Sequence, residues 1–369
     1  MRHPAILITG GTGLIGGAVL RRLLERDREL HAYLLVRNAT GWPHAISRLR
    51  IPASRVTALP GDVTRPGLGL PADVRAELAE SVRLVVHAAA DTVFSRPLAL
   101  ARAVNRDGTR HVVEVADEWR GVERYVHVST AFVAGRTIGE VPEREHPGDA
   151  GFVNAYEQSK HEAEAIVRAS SLPWLIARPS TVVCESEHGD VRQVNAVHRA
   201  LALQHAGLAA LLPGTESSPV DLVTTDFVAE SIARLCTTSG AVERGTFHLC
   251  AGAGAIRLGE LLDLAHATWS RSESWRRRGV ARPALADLDT WALFQRSVEE
   301  TGDARLRRIT RALSHFAPQL ALPKRFRTEA AVEATGLSAA PVRAFLARVL
   351  DTIAARRSAA GELTLAATG

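Results

Sequence analysis

The stretch Ile6-Leu7-Ile8-Thr9-Gly10-Gly11-Thr12-Gly13-Leu14-Ile15-Gly16 decides the fold of this chain. Residues 5–8 form an apolar run with the length of a buried strand, and an apolar-periodic segment extends from Leu14 to about Arg26. Between them, glycines recur at the spacing G-x-x-G-x-x-G. A strand, a tight glycine turn and a helix in this order are typical of a dinucleotide-binding unit.

Each glycine of this turn has a predicted task. Gly10 provides the backbone freedom that the turn needs, Gly13 allows close approach to a pyrophosphate, and Gly16 lets the helix pack onto the sheet. The first N–H groups of the helix and the positive end of its dipole suit a phosphate. Glycine turns also join strands to helices for packing alone, so that alternative stays open at this point.

Length and composition are those of a globular protein. The chain has 369 residues, of which 46% are apolar and 23% are charged, and it is long enough for a sizeable core. No apolar run reaches the roughly 18 residues of a membrane span, so neither a signal peptide nor an integral membrane contact is expected. Cys184, Cys236 and Cys250 are far apart, which predicts buried free thiols in a reducing cytoplasm rather than a disulfide or a metal site.

Lysine and tyrosine are scarce, and they meet once. Of 45 basic residues only Lys160 and Lys324 are lysine, so lysine is expected where a compact ammonium is needed. Tyr156 and Lys160 lie at i, i+4 on one face of a predicted helix over residues 153–170. A nearby cation would lower the pKa of the phenol and make it a usable acid or base near neutral pH. Thr130, at the end of a predicted strand, could donate to the same oxygen.

The ends of the other predicted strands provide candidates for the cofactor site. Arg37, with Arg48, suits the 2′-phosphate of NADP rather than the free ribose of NAD, although an exposed arginine without a ligand is the alternative. Asp62 could reach the adenine or could stabilise its own turn. Ala88-Ala89-Ala90 ends the fourth strand and leaves room for a ligand, or packs tightly.

Strands alternate with helices through residues 5–250, with strands predicted at 32–36, 56–60 and 82–87 and one helix over 98–118. This alternation predicts an α/β fold with a doubly wound parallel (Rossmann) sheet. We expect an NADP-binding domain made of residues 1–180 plus 220–250. A smaller, mostly helical C-terminal substrate lobe would comprise residues 181–219 plus 251–369. An apolar stripe at helical spacing between residues 342 and 353 predicts core packing, with a partner or membrane surface as the alternative.

Seven short motifs resemble those of the extended short-chain dehydrogenase/reductases. They are TGGTGLIG (9–16), GDV (61–63), HAAA (87–90), N-x-x-G-T (105–109), VHVSTAFVAG (126–135), NAYEQSK (154–160) and RPS (178–180). Within that superfamily, LLVR, HVSTAFV and N-x-Y-E-Q-S-K-x-x-A-E are similar to the thioester reductase and fatty acyl-CoA reductase branch. That branch includes the reductive-release domains of carboxylic acid reductases and nonribosomal peptide synthetases.

The resemblance implies a reductase with a triad of Thr130, Tyr156 and Lys160. Tyr156 would give a proton to the carbonyl oxygen, Thr130 would be its hydrogen-bonding partner, and Lys160 would hold the nicotinamide ribose. The implied reaction is NADPH-dependent reduction of an acyl thioester, carried by coenzyme A or an acyl carrier protein, to an aldehyde or alcohol. The cofactor residues that follow are Thr9, Gly10, Thr12, Gly13, Leu14, Ile15, Gly16, Arg37, Arg48, Asp62, Val63, Ala88, Ala89, Ala90, Asn105, Lys160, Pro179 and Ser180.

Other functions share this triad. An NADP-dependent ketone or aldehyde reductase, or a hydroxysteroid-dehydrogenase-like alcohol dehydrogenase, would use the same residues. The intact triad argues against a non-catalytic NADP-binding sensor.

The chain begins at its first strand, so we expect a free-standing enzyme, and a homodimer is left open. From Arg271 onward there are 17 Lys+Arg against 10 Asp+Glu, which indicates either a solvated face or a landing site for an acidic carrier. Without interleaved aromatic residues, nucleic acid is not expected.

Overall fold

A computed structural model describes residues 5–38, 40–48, 50–186, 188–237 and 243–360. The strands are β1 (Ala5–Thr9), β2 (His31–Val36), β3 (Val56–Pro60), β4 (Val82–His87), β5 (Arg124–Val128), β6 (Gly139–Val141), β7 (Trp174–Pro179), β8 (Thr181–Cys184), β9 (Leu211–Pro213), β10 (Pro219–Val220), β11 (Leu222–Thr224), β12 (Gly245–Leu249), β13 (Ile256–Arg257), β14 (Ala284–Ala286) and β15 (Lys324–Phe326).

The helices of the described residues are α1 (Leu14–Arg26), α2 (Trp42–Arg48), α3 (Ala72–Ser81), α4 (Leu98–Asn105), α5 (Asp107–Asp117), α6 (Ala155–Ala169), α7 (Ala196–His205), α8 (Thr225–Thr237), α9 (Leu258–Trp269), α10 (Glu273–Arg276), α11 (Leu288–Glu300), α12 (Ala304–Ser314), α13 (Glu329–Thr335) and α14 (Val342–Ala360). The predicted helix over residues 98–118 is divided into α4 and α5 at Arg106. At this junction the Thr109 hydroxyl donates to the Asn105 carbonyl at 2.6 Å.

Seven strands form one parallel sheet in the order β12-β7-β5-β4-β1-β2-β3. The chain places β2 and β3 on one side of β1 and then crosses to β4 on the other side. The carboxyl ends of β1 and β4 therefore flank a topological switch point, where ligands bind in sheets of this kind. All of β1 is buried, because helices cover both faces of the sheet, and this is why its sequence is continuously apolar. The predicted doubly wound α/β fold is confirmed.

The chain after β12 builds most of a second, largely helical core. The predicted apolar stripe lies on α14 and packs against α7 and α9, so its assignment to core packing is confirmed. Its six buried residues are Val342, Phe345, Leu346, Val349, Leu350 and Ile353. α13 differs from this pattern, because it packs against β12 and α8, and its Ala331 belongs to the core of the large sheet. Among the described residues, no helix combines the length and apolarity required to cross a membrane.

One segment of the C-terminal region returns to the chain that follows β5, and we call residues 315–326 the C-terminal strap. It contains a short 3-10 helix, Ala317–Ala321, and β15. β15 pairs in parallel with β6, and Gly139 N donates to Pro323 O at 2.8 Å just before the pair begins. The strap therefore lies beside the chain that follows β5.

Candidate active site

Two positions of the glycine turn have no room for a side chain. Gly10 has φ +69°, in the left-handed region, and a Cβ there would lie 2.6 Å from backbone atoms of Ala88 and Ala89. A Cβ on Gly16 would collide with the carbonyl oxygen of Gly10. The backbone freedom predicted for Gly10 is confirmed, and the absence of a side chain at Gly16 lets α1 pack closely against the turn that follows β1. Contact of either glycine with a cofactor stays a prediction.

The start of α1 fits a phosphate group. Gly13 is the N-cap residue, and within the described part of the chain no side chain caps this first turn. The N–H groups at the start of a helix have no partner inside the helix, so they are available to an anion. Thr12 and Gly13 are exposed, and Leu14 and Ile15 are half-buried beneath them. The end of β1 therefore presents a backbone cradle suited to a dinucleotide phosphate.

The Thr9 side chain holds the neighbouring strand end in place. Its hydroxyl accepts from Ala89 N at 3.2 Å and is hydrogen-bonded to Nδ1 of His87 at 2.7 Å. Nε2 of His87 is bonded to the Thr109 hydroxyl at 3.0 Å. Burial, and then the charge of Lys160, lower the pKa of His87 to about 3, so this imidazole is neutral. Thr9 and His87 together lock the ends of β1 and β4 at the switch point.

Asn105 is buried and has its hydrogen bonds satisfied by the protein. Its side-chain oxygen accepts from Asp91 N at 2.8 Å, and its amide donates to Asp91 O at 3.0 Å and to the Ser159 hydroxyl at 2.9 Å. Asn105 therefore ties the loop after β4, which begins with the half-buried Ala88-Ala89-Ala90, to α6. Its predicted cofactor contact remains a prediction.

The residues predicted to face the adenosine are in different situations. Arg37 is exposed just after β2, while the side chain of Arg48 lies outside the described residues. The Asp62 carboxylate accepts from the backbone N–H and the hydroxyl of Thr64, both at 2.9 Å. This is the turn chemistry that the sequence left open for Asp62. Val63 is buried behind it.

Pro179 ends β7 and is buried, and Ser180 follows it with its hydroxyl engaged. Ser180 Oγ donates to Asp221 at 2.5 Å, and the same carboxylate accepts from Ala251 N and Gly252 N, each at 2.8 Å. Asp221 thus joins the ends of β7 and β12 at the carboxyl edge of the sheet. Sequence reasoning missed Asp221, because no local motif marks it.

The helix α6 carries Tyr156 and Lys160, and Asn154 caps its first turn. The Asn154 side chain accepts from Glu157 N at 3.0 Å and starts the helix one residue before Tyr156. Lys160 lies one turn further on and is fully buried. Its ammonium donates to Val128 O at 2.8 Å and is bonded to Nε2 of His127 at 3.1 Å.

Burial determines the charge state of this pair. It lowers the pKa of Lys160 to about 8, against the opposing effect of the Glu164 carboxylate. Burial and the Lys160 charge also hold the pKa of His127 well below its usual value, so His127 is a neutral acceptor. His127 is part of the HVST motif, but the sequence analysis assigned it no role. The signal in the sequence was a histidine inside an apolar strand, whereas its contact with Lys160 is visible only in the structure.

The predicted lowering of the Tyr156 pKa is wrong. Burial raises that pKa to about 12, and a hydrogen bond with Thr130 opposes the rise only in part. The ammonium of Lys160 is hydrogen-bonded to His127 and Val128 instead. Thr130 Oγ1 accepts from Phe132 N at 3.3 Å, which leaves its O–H free to donate to the phenol oxygen. At neutral pH Tyr156 therefore carries its proton.

Residues 8–232 match the profile of an NAD-binding family described as male sterility protein. The chain belongs to this family. It is 30% identical over 226 residues to the fatty acyl-CoA reductase wat of Drosophila melanogaster, covering 49% of this chain and 43% of that protein. It is 31% identical over 269 residues to a linear gramicidin synthase of Brevibacillus parabrevis, covering 67% of this chain and 5% of the synthase. The chain thus spans less than half the length of either relative.

Solved structures agree with this assignment at the level of the fold. The terminal R domain from the myxalamid PKS-NRPS biosynthetic pathway superposes with a TM-score of 0.77 at 24% identity, covering 96% of this chain and 92% of that domain. The R domain of a nonribosomal peptide synthetase from Mycobacterium tuberculosis gives a TM-score of 0.67 at 21% identity, with 95% and 92% covered. The predicted resemblance to the extended reductase superfamily and its thioester and acyl-CoA reductase branch is confirmed.

Proposed function

We propose that this family member reduces an acyl thioester with NADPH and releases an aldehyde, or carries the reduction on to the alcohol. The observation that carries the proposal is the protonated phenol of Tyr156, held by Thr130 one helical turn from the buried ammonium of Lys160. The names of the relatives support the thioester as substrate, because they include a fatty acyl-CoA reductase and reductase domains of peptide synthetases.

Three side chains would act in the reaction. A bound nicotinamide cofactor would supply the hydride for the carbonyl carbon. The Tyr156 hydroxyl gives its proton to the carbonyl oxygen, and Thr130 donates to the Tyr156 oxygen and stabilises the charge left there. Lys160 has one N–H donor beyond those directed to His127 and Val128, and we assign it to the nicotinamide ribose. The C–S bond of the resulting hemithioacetal then breaks while its hydroxyl proton passes to the departing sulfur, which releases thiol and aldehyde.

The preferred cofactor is NADP(H), and the thiol carrier is coenzyme A or an acyl carrier protein. An exposed guanidinium at the end of β2 supports NADP(H), since Arg37 can pair with a 2′-phosphate there. The basic surplus after Arg271 supports a carrier with phosphates or an acidic surface. We also propose a cytoplasmic location, because Cys184, Cys236 and Cys250 are free thiols.

The deciding experiment measures NADPH oxidation by the purified protein with an acyl-CoA and, separately, with the matching free aldehyde. Thiol released is counted in the same reactions. One thiol per NADPH consumed in the first step supports thioester reduction. Oxidation with the aldehyde alone would instead assign a carbonyl reductase. NADPH binding without turnover on acyl-CoA, acyl carrier protein or aldehyde would favour the sensor.

A further inference from the structure

The second lysine of the chain, Lys324, is also buried, and Gln319 connects it to the helix that carries Tyr156. It lies at the start of β15 in the C-terminal strap. Its ammonium donates to Oε1 of Gln319 at 2.6 Å and to Leu322 O at 3.1 Å. The amide of Gln319 in turn donates to Oε1 of Glu157 at 2.7 Å. A chain of hydrogen bonds therefore runs from Lys324 through Gln319 to the residue next to Tyr156.

Glu157 is where this chain of hydrogen bonds meets the first turn of α6. Its Oε2 accepts from Val153 N at 3.0 Å, and its Oε1 accepts from the Asn154 amide at 3.1 Å as well as from Gln319. The Asn154 amide also donates to His315 O of the strap at 3.0 Å. Side chains and backbone of the strap thus hold the turn on which Tyr156 sits.

The strap also contacts the turn that follows Thr130. The Gln319 amide approaches Gly135 O at 3.4 Å, and the rings of Phe132 and Phe326 meet edge to face at 6.2 Å. Both partners of the hydrogen bond between Thr130 and Tyr156 are therefore supported by one segment that is remote in sequence.

Glu157 and Lys324 are titratable groups of this network, and in each of them burial shifts the pKa against the effect of the other's charge. Burial raises the pKa of Glu157 to about 7, against its hydrogen bonds and the charge of Lys324. Burial lowers the pKa of Lys324 to about 8, and the nearby Arg136 adds to this while Glu157 opposes it. The charged groups facing Glu157 and its partners are Lys324 and Arg136, and Tyr156 is the neighbouring titratable group. Protonation of Glu157 would displace a donor, since both its oxygens already accept N–H groups.

We propose that Gln319 and Lys324 are positioning residues for the reaction: they hold the Glu157 carboxylate and thereby align Tyr156 with Thr130. The C-terminal strap completes the active site by supporting both the first turn of α6 and the turn that follows Thr130. This inference rests on the proposed function, because it takes Tyr156 as the proton donor.

The test compares Gln319→Leu and Lys324→Met with Arg325→Met. Arg325 is exposed on the same strand, so its variant removes the same charge without touching Gln319. We expect kcat to fall about 10- to 100-fold in the first two variants, because small misplacements of a catalytic group cost that much. Their NADPH affinity should stay within about twofold of the parent, since Gln319 and Lys324 bond to Gly135, Glu157 and Leu322 rather than to the glycine turn. Arg325→Met should match the parent in both.

The pH profile separates positioning from general damage. The acidic limb of kcat near pH 7 should move to higher pH in Lys324→Met, because Glu157 loses the cation that favours its charged form. Glu157→Gln carries an N–H donor permanently, so it should have low activity at every pH and no such limb. Unchanged kcat and an unchanged limb in both strap variants would overturn the inference, as would a parallel loss of kcat and NADPH affinity.

Hydrogen–deuterium exchange of residues 153–160 gives a readout that needs no turnover. Exchange should be faster in Gln319→Leu and Lys324→Met than in Arg325→Met and the parent. If the parent reduces no thioester, the proposed function fails while this measurement still decides whether the strap orders the turn. Equal exchange in all three variants would overturn the inference. Gln319 is half-buried, so its variant decides the outcome if Lys324→Met does not fold.

Discussion

The two lysines of the chain have similar surroundings, but one lies within a recognisable sequence motif and the other does not. Lys160 on α6 and Lys324 in the C-terminal strap are both buried, and burial lowers the pKa of each to about 8. Each ammonium bonds one backbone carbonyl and one side chain, His127 for the first and Gln319 for the second. Their chemistry is alike, but only Lys160 has a neighbour in sequence that indicates its role.

The difference shows what local spacing can reveal. Lys160 lies one helical turn from Tyr156, so a helix alone puts both on one face. Lys324 is connected to the same helix, through Gln319, only because β15 pairs with β6 and brings the strap beside the chain that follows β5. A motif reveals a site when its members share one element, whereas a contact between distant elements requires the tertiary structure.

The largest expected effect is the loss of kcat on replacing Tyr156, the proposed proton donor. Tyr156→Phe should lower kcat about 100- to 10,000-fold, the usual contribution of a general acid, and leave NADPH affinity nearly unchanged. Steady-state kinetics and NADPH titration check this. Tyr125→Phe is the matched control, because Tyr125 is buried in β5 and contributes no catalytic group. Full turnover in Tyr156→Phe would remove the proton-donor assignment.

The next effect separates the two lysines directly. Lys160→Met should weaken NADPH about 10- to 100-fold, as expected for loss of a hydrogen bond from a charged donor, whereas Lys324→Met should leave that affinity unchanged. The ammonium is the form that favours the ribose contact, so parent affinity should fall as pH rises through about 8 and stay flat in Lys160→Met. Titration by fluorescence across pH 6–10 checks both. Equal affinity losses in the two variants would contradict the division of roles.

A smaller effect is expected at the glycine turn. Gly16→Ala should lower the free energy of unfolding by about 1–3 kcal/mol, because its Cβ collides with the Gly10 carbonyl and the core cannot relax freely. Denaturant unfolding measures this. Gly254→Ala is the control, since a Cβ there meets nothing within 4 Å. Similar stabilities for the two variants would mean that the turn is less tightly packed than described.

The smallest effect concerns the choice of cofactor. Arg37→Asp should weaken NADPH about tenfold, because one charge-assisted hydrogen bond to the 2′-phosphate is lost, and should leave NADH within about twofold. Arg37→Lys should retain part of the NADPH preference, since lysine keeps the charge but not the fork of donors. Dissociation constants for both cofactors in each variant check this. Equal losses of affinity for NADPH and NADH would contradict the assignment of Arg37 to the 2′-phosphate.

Most of the fold was predictable from particular stretches. The end of β1 and the start of α1 lie where the glycine spacing predicts them, and β2, β3 and β4 have the predicted bounds within one residue. The junction at Arg106 was not predicted, because residues 98–118 have one continuous helical pattern. In the site, the spacing predicted that Tyr156 and Lys160 would share a face but gave the wrong direction for the Tyr156 pKa.

By itself, the sequence determined what depends on short-range sterics and periodicity: the glycine turn, the alternation of strands with helices, and the Tyr156–Lys160 pair on one face of α6. The tertiary structure alone decided the protonated state of Tyr156, the neutral His127 that accepts from Lys160, and the contacts of Asp221, Gln319 and Lys324. The physical reason is that a pKa depends on burial and on where neighbouring charges point. A hydrogen bond between distant elements likewise depends on how those elements pack, and neither leaves a local pattern in the chain.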